Sequence, residues 1–303
     1  MSAAPQGALG LETAAFEPPD GVRLRGGAWP AVGSTRGLAL LLPGRTEYLE
    51  KAAFTAAGLT ERGYRVVSLD WRGQGRSARA LRRPEKGHVS DFAEYQRDLA
   101  ALMAHPQLGG TPDLVLAHSM GGTIALLARR DGELGAAPLI LSAPMLGLAV
   151  SGWAQSTVLA MIAFARRTGR LDLWAPLPQA PKAYPLTVRF EDNVLTGDRA
   201  VWDWMAASAR AEPAFALGAP TLGWLDAARR AMAEIAEMPA PGGRGLMLIG
   251  ADERVVSAEA VRAAAERLDY GLAEIPGARH EPLVDAPEPR AAAWAAVDRF
   301  LAG

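Results

Sequence analysis

The chain has 303 residues, half of them hydrophobic and about a fifth charged, which is the composition of a folded globular protein rather than a disordered one. Its formal net charge of -1 lacks the basic excess of a nucleic-acid surface, so no nucleic-acid partner is expected. Cysteine is absent, which removes disulfides, thiolate metal sites and thiol nucleophiles together and fits a reducing compartment.

Short apolar runs alternate with longer helix-like stretches, the pattern of a parallel sheet wrapped by helices. Gly37 to Leu42 reads as a buried strand ending at Pro43-Gly44, and Glu50 to Arg62 as a helix stopped by Gly63. Tyr64 to Leu69 is the next strand, and Asp91 to His105 a helix ended by Pro106. Asp113 to Ala117 is a strand, Gly121 to Arg130 a helix and Pro138 to Ser142 a strand. Gly245 to Ile249 and Leu272 to Ile275 are strands flanking the helix Ala258 to Leu268, and Arg290 to Leu301 closes the chain as a helix. The fold class is α/β, with a core from 1–150 and 239–303.

The alternation stops between Ser151 and Met238, where Trp153, Trp174, Trp202, Trp204 and Trp224 gather with several prolines. This stretch, 151–238, reads as a strandless helical cap inserted between two strands. Most of its tryptophans should be structural, and some should line an apolar pocket. The stripe Trp153 to Phe164 has two readings, peripheral membrane contact or burial against the core. No apolar run is long enough to span a bilayer, and Met1 to Phe16 lacks the pattern of a cleaved leader, so a cytoplasmic protein is expected.

Chemistry concentrates at Leu114-Val-Leu-Ala-His-Ser-Met-Gly-Gly122, a strand running through a small-residue turn into a helix. Such a bend lifts its central residue, Ser119, above the sheet. Ala117 and Gly121 are small enough for strand and helix to approach, although alanine stands where glycine is usual. The helix N-terminus also favours a developing oxyanion. A serine hydroxyl needs a base, and only four histidines are available. His105 ends a helix, and His118 should point away from its neighbour Ser119. His88 lies on a loop and is a second candidate. His280 follows the last strand, at the sheet edge where the bend lies, and is the expected base. The acid should follow Gly245 to Gly250, where Asp252 and Glu253 are adjacent and spacing separates them poorly. Oxyanion donors are expected at the main-chain N–H groups of Met120 and Arg45; the Arg45 side chain has two readings, contact with an anionic head group or, the one expected here, solvation.

In their order, Pro43-Gly-Arg-Thr-Glu47, Asp70-Trp-Arg-Gly-Gln-Gly-Arg-Ser77, Gly87-His-Val-Ser-Asp-Phe92, His118-Ser-Met-Gly-Gly122, Asn193-Val-Leu-Thr196, Gly218-Ala-Pro-Thr-Leu-Gly-Trp224, Glu253-Arg-Val-Val256 and His280-Glu281 resemble a known set. They resemble the α/β-hydrolase serine hydrolases that include monoacylglycerol lipases and, more closely, bacterial lysophospholipases. The resemblance implies a lipid ester hydrolase without metal or cofactor, acting on a small-molecule lipid ester. It places the nucleophile at Ser119, the base at His280, the acid at Glu253 and the oxyanion donors at Arg45 and Met120. Relatives commonly carry aspartate at the acid position. Asp70, Arg72 and His88 match positions that are structural. Competing expectations are a short-chain or aromatic carboxylesterase and a non-catalytic binding module on the same fold.

Overall fold

The computed structural model describes residues 10–150, 152–176 and 181–303, without the side chains of 153 and 154. The first nine residues, on which much of the leader reading rests, and the Trp153 side chain therefore lie outside the described residues. Eight strands form one sheet: β1 (Glu12–Phe16), β2 (Leu24–Trp29), β3 (Gly37–Leu42), β4 (Tyr64–Asp70), β5 (Leu114–His118), β6 (Leu139–Ser142), β7 (Gly245–Gly250) and β8 (Gly271–Ile275). Their spatial order is β1-β2-β4-β3-β5-β6-β7-β8. β2 pairs antiparallel with both β1 and β4, and every other pairing is parallel.

The inner strands β3, β4, β5, β6 and β7 are buried almost throughout, because helices cover both faces of the sheet. One face is covered by α1 (Leu49–Glu61) and α8 (Pro287–Ala302), with Leu49, Ala53, Ala56, Ala293 and Val297 in its core. The other carries α2 (Ala93–Ala104), α3 (Met120–Arg130) and α7 (Ala258–Leu268).

Between β6 and β7 lie α4 (Gly152–Thr168), α5 (Arg199–Ala211) and α6 (Leu222–Glu237), with short 3-10 turns and, among the described residues, no strand. α6 places Trp224, Ala227, Ala231 and Ile235 in the same core cluster as α2 and α3. α4 and α5 build small clusters of their own, around Ile162 and around Trp202. Trp202 and Trp224 are buried, and Trp174 and Trp204 partly so.

The β5–α3 junction shows why small residues are needed there. A Cβ at position 121 would overlap the main-chain carbonyl of Leu42, and one at 122 would crowd Pro144. The helix thus starts in backbone contact with β3, at a place where nothing can yield cheaply. Gly121→Ala should lower unfolding free energy by about 1–3 kcal/mol in a urea titration. An unchanged midpoint would mean that the close approach is not needed.

Candidate active site

Ser119 holds φ 51° and ψ -116°, a backbone conformation that an L-residue adopts only when its surroundings enforce it. Here its N–H donates to the Ser142 carbonyl (3.0 Å), and its carbonyl accepts from Met145 (3.0 Å) and Gly122 (2.9 Å). The bend is held on both sides. Its hydroxyl lies 3.1 Å from His280 Nε2, and His280 Nδ1 lies 2.8 Å from Glu253 Oε2. The three side chains come from the ends of β5, β7 and β8, at one edge of the sheet.

Of the two adjacent carboxylates, Asp252 is exposed and Glu253 is turned inward. Oε1 of Glu253 accepts from the N–H groups of Val255 (2.6 Å) and Val256 (3.1 Å), leaving Oε2 for the imidazole. Burial pushes this carboxyl up, but the His280 contact and the two N–H groups outweigh it and hold it below the ordinary glutamate range.

The His280 loop is clamped by the stretch Asn193–Thr196. His280 N–H donates to the Val194 carbonyl (3.3 Å) and Glu281 N–H to the Leu195 carbonyl (2.9 Å). Asn193 Oδ1 shapes its own turn by accepting from Leu195 (2.9 Å) and Thr196 (3.0 Å). Fully buried Asp285 takes the N–H groups of Gly197, Arg279 and Ala286.

The turn after β3 is equally constrained. The Pro43 carbonyl accepts the Trp71 indole N–H (2.8 Å), and the Gly44 carbonyl accepts from Gln74 (3.1 Å). Gly44 N–H donates to Glu47, and Thr46 N–H to Gln74 Oε1 (2.8 Å). Within Gly44–Thr46 only Arg45 keeps an N–H with no acceptor among the described residues; Met120, first in α3, likewise has none. Gly44 packs against the serine, since a Cβ on it would sit 3.2 Å from Ser119 Cβ.

One expectation needs correction. The Arg45 side chain is not solvated: it folds over the Trp224 ring (5.2 Å) and donates from Nη2 to the Gly218 carbonyl (2.8 Å). Trp224 and Gly218 come from the 151–238 segment, whose packing over the β3 turn leaves Arg45 half-buried. His118 does not bond Ser119, but its ring lies against that of His280, 4.9 Å between centroids. Its Nδ1 meets the Ser142 carbonyl (3.0 Å), and burial lowers its pKa. The remaining histidines brace the fold. His105 Nδ1 accepts from Leu108 N–H (3.2 Å) beyond α2, and His88 Nδ1 meets Thr221 Oγ1 (2.8 Å), the cap of α6.

A buried charge cluster beside the site was invisible in the sequence. Lys51 Nζ lies 2.9 Å from Glu47 Oε1 and 2.7 Å from Glu281 Oε1, all three nearly enclosed. Glu47, His118 and Glu281 bring potential ligand atoms within 4.8 Å of one another, but the Lys51 ammonium already bridges the two carboxylates. Only the i,i+4 spacing of Glu47 and Lys51 offered a local signal. Asp70 and Arg72 are architectural as expected. Asp70 Oδ1 accepts the first N–H of α1, Leu49 (2.8 Å), and Arg72 grips Asp98 and Asp20.

The pattern of the hydrolase family described as serine aminopeptidase, S33, matches residues 33–287. The chain belongs to this family. It is 33% identical over 202 residues to lysophospholipase L2 of Escherichia coli (strain K12), a match covering 62% of this chain and 55% of that one. It is 34% identical over 131 residues to a monoacylglycerol lipase of Mycolicibacterium smegmatis, covering 41% and 43%. The chain thus spans about half the length of the curated relatives that it matches. Among solved structures, a soluble variant of monoglyceride lipase from Saccharomyces cerevisiae superposes with a TM-score of 0.75 at 17% identity, over 97% of this chain and 95% of that one. That likeness establishes the α/β-hydrolase fold.

Proposed function

We propose that the chain hydrolyses carboxylic esters of single-chain lipids, a lysophospholipid or a monoacylglycerol, through an acyl-Ser119 intermediate. The observation that carries this reading is the unbroken chain of contacts from Glu253 through His280 to the Ser119 hydroxyl. The serine oxygen attacks the ester carbonyl carbon while its proton passes to His280 Nε2. Glu253 accepts the Nδ1 proton in a hydrogen bond and stabilises the imidazolium. The carbonyl oxygen, now negative, is received by the free N–H groups of Arg45 and Met120. As the tetrahedral species collapses, His280 returns the proton to the departing glycerol oxygen. Water then attacks the acyl-enzyme with His280 again as base, releasing fatty acid and restoring the serine.

In this reading the 151–238 segment is a cap over the acyl chain, with α4 and α5 as its body. α4 exposes Leu159 and Phe164, which supports peripheral contact with a lipid surface at the inner membrane face of a cytoplasmic enzyme. No helix of the described residues is long and apolar enough to cross a membrane.

Replacing the two neighbouring acids separates their roles. Glu253→Gln should lower kcat for lipid ester hydrolysis by roughly 10³–10⁴-fold, because the amide no longer stabilises the imidazolium. Asp252→Asn should change it less than about threefold, its carboxylate being solvent-exposed. The opposite ranking would overturn the assignment of the acid. A chain-length series of p-nitrophenyl esters checks the lipid preference: turnover should rise toward long acyl groups. A preference for acetyl over long chains would favour a carboxylesterase.

A further inference from the structure

Three enclosed cations around the site are paired with carboxylates, whereas Arg279 is held by the Asn193 and Thr196 carbonyls. Lys51 meets two carboxylates, Arg25 meets Glu50 and Asp70, and Arg72 meets Asp20, Glu94 and Asp98. Arg45 differs. Its guanidinium has one carbonyl, Gly218, and one indole face, Trp224, but no carboxylate among the described residues. Among the described residues its Nε, which is fully enclosed, has no hydrogen-bond partner, and Nη1 has no acceptor. Burial without a counter-charge pulls its pKa down to about 10. A half-buried cation with an unpartnered N–H gains from an anion that completes it, and a guanidinium fork suits a phosphate group.

The location gives this side chain a use. Arg45 follows Gly44, which abuts Ser119, and its own N–H is one of the proposed oxyanion donors. The side chain therefore leaves the main chain at the reacting centre and runs toward the 151–238 segment. The Gly218 carbonyl and Trp224 ring hold it there, and Trp224 is itself tied to Tyr95 Oη by its indole N–H (3.1 Å). A glycerol head group needs no cation. A phosphodiester on the glycerol would bring two oxygens to the open donors.

We propose that the Arg45 side chain is an anion subsite that receives the phosphodiester of a lysophospholipid and so selects it over a monoacylglycerol; this rests on the hydrolase reading above. The test compares kcat/KM for lysophosphatidylglycerol and for monoacylglycerol with the same acyl chain, in wild type, Arg45→Gln and Arg45→Lys. The ratio of the two values should fall at least tenfold in Arg45→Gln, mainly through KM, and less in Arg45→Lys, which keeps a charge. If Arg45 merely holds the Gly218 carbonyl, both substrates suffer alike and the ratio stays put, which overturns the subsite. Should the variants fail to fold, the wild type decides. Glycerol 3-phosphate should compete with monoacylglycerol where equimolar glycerol does not, and equal effects would count against the subsite. A wild type that releases fatty acid from neither lipid sinks the hydrolase reading and the subsite with it; release from both with an unaltered ratio in Arg45→Gln sinks the subsite alone.

Discussion

Ser119→Ala should abolish fatty-acid release, lowering kcat by about 10⁵–10⁶-fold, while leaving the fold intact. The size of the effect follows from the geometry. The hydroxyl is the group that would carry the acyl chain, and among the described residues no other serine lies within hydrogen-bond reach of His280. What would remain is the modest assistance of the two free N–H groups and of substrate binding. Stability should change little. The Ser119 side chain makes no capping bond to α3, and its main-chain contacts to Ser142, Met145 and Gly122 survive truncation. Alanine must still adopt positive φ, as the serine does, so the strain is shared by both proteins. Fatty-acid titration alongside a urea unfolding curve checks both halves of the statement. Turnover in the variant within tenfold of wild type would remove Ser119 from the reaction.

The largest effect on stability should come from Lys51→Met. The ammonium is the shared partner of Glu47 and Glu281, and all three are nearly sealed from water. Burial alone would raise the Glu47 pKa; Lys51, with help from His118 and the Gly44 N–H, brings it well below the usual range. Burial likewise opposes charge on Lys51, and the two carboxylates reverse that and raise its pKa. Methionine matches the stem but leaves two carboxylates enclosed without a counter-charge. Breaking such a pair typically costs about 3–5 kcal/mol. Chemical denaturation should show that loss at neutral pH. It should shrink on acidification, since the orphaned Glu47 can then protonate, and in the double variant Lys51→Met/Glu281→Gln. The cluster also touches function. Glu281 directly follows His280, and Glu47 binds the turn that presents the Arg45 N–H. A variant as stable as wild type at all pH values would show that the cluster does not hold these loops.

Much of this architecture could be read from the chain, for reasons visible in particular elements. The strands β3 to β7 are apolar because helices cover both faces, so each reads as a continuous run bounded by Gly or Pro. β1 and β2 escaped notice. β2 is Leu-Arg-Gly-Gly-Ala-Trp, whose two glycines and arginine break any alternation, and β1 is an edge strand with mostly exposed residues. Both depend on pairing partners that local sequence does not announce. The bend at Ser119 was legible because a strand, small residues and a helix must adjoin there. The position of His280 followed from topology. The contact with Glu253 rather than Asp252 was not readable from spacing, because adjacent residues on a loop are separated only by how the loop turns. Here the Val255 and Val256 N–H groups turn Glu253 inward. Least legible were Arg45, enclosed by residues more than 170 positions away, and the ion cluster joining Lys51 to Glu281 across 230 positions.

The central claim is that one hydroxyl, activated by a histidine from a distant loop, becomes covalently acylated. It is tested most directly by treating the protein with a fluorophosphonate and locating the adduct by tandem mass spectrometry. The account predicts a single phosphonyl group on the peptide spanning Ala117 to Arg129, attached at Ser119, and its disappearance in His280→Ala. An adduct on another residue, or equal labelling without His280, would contradict it.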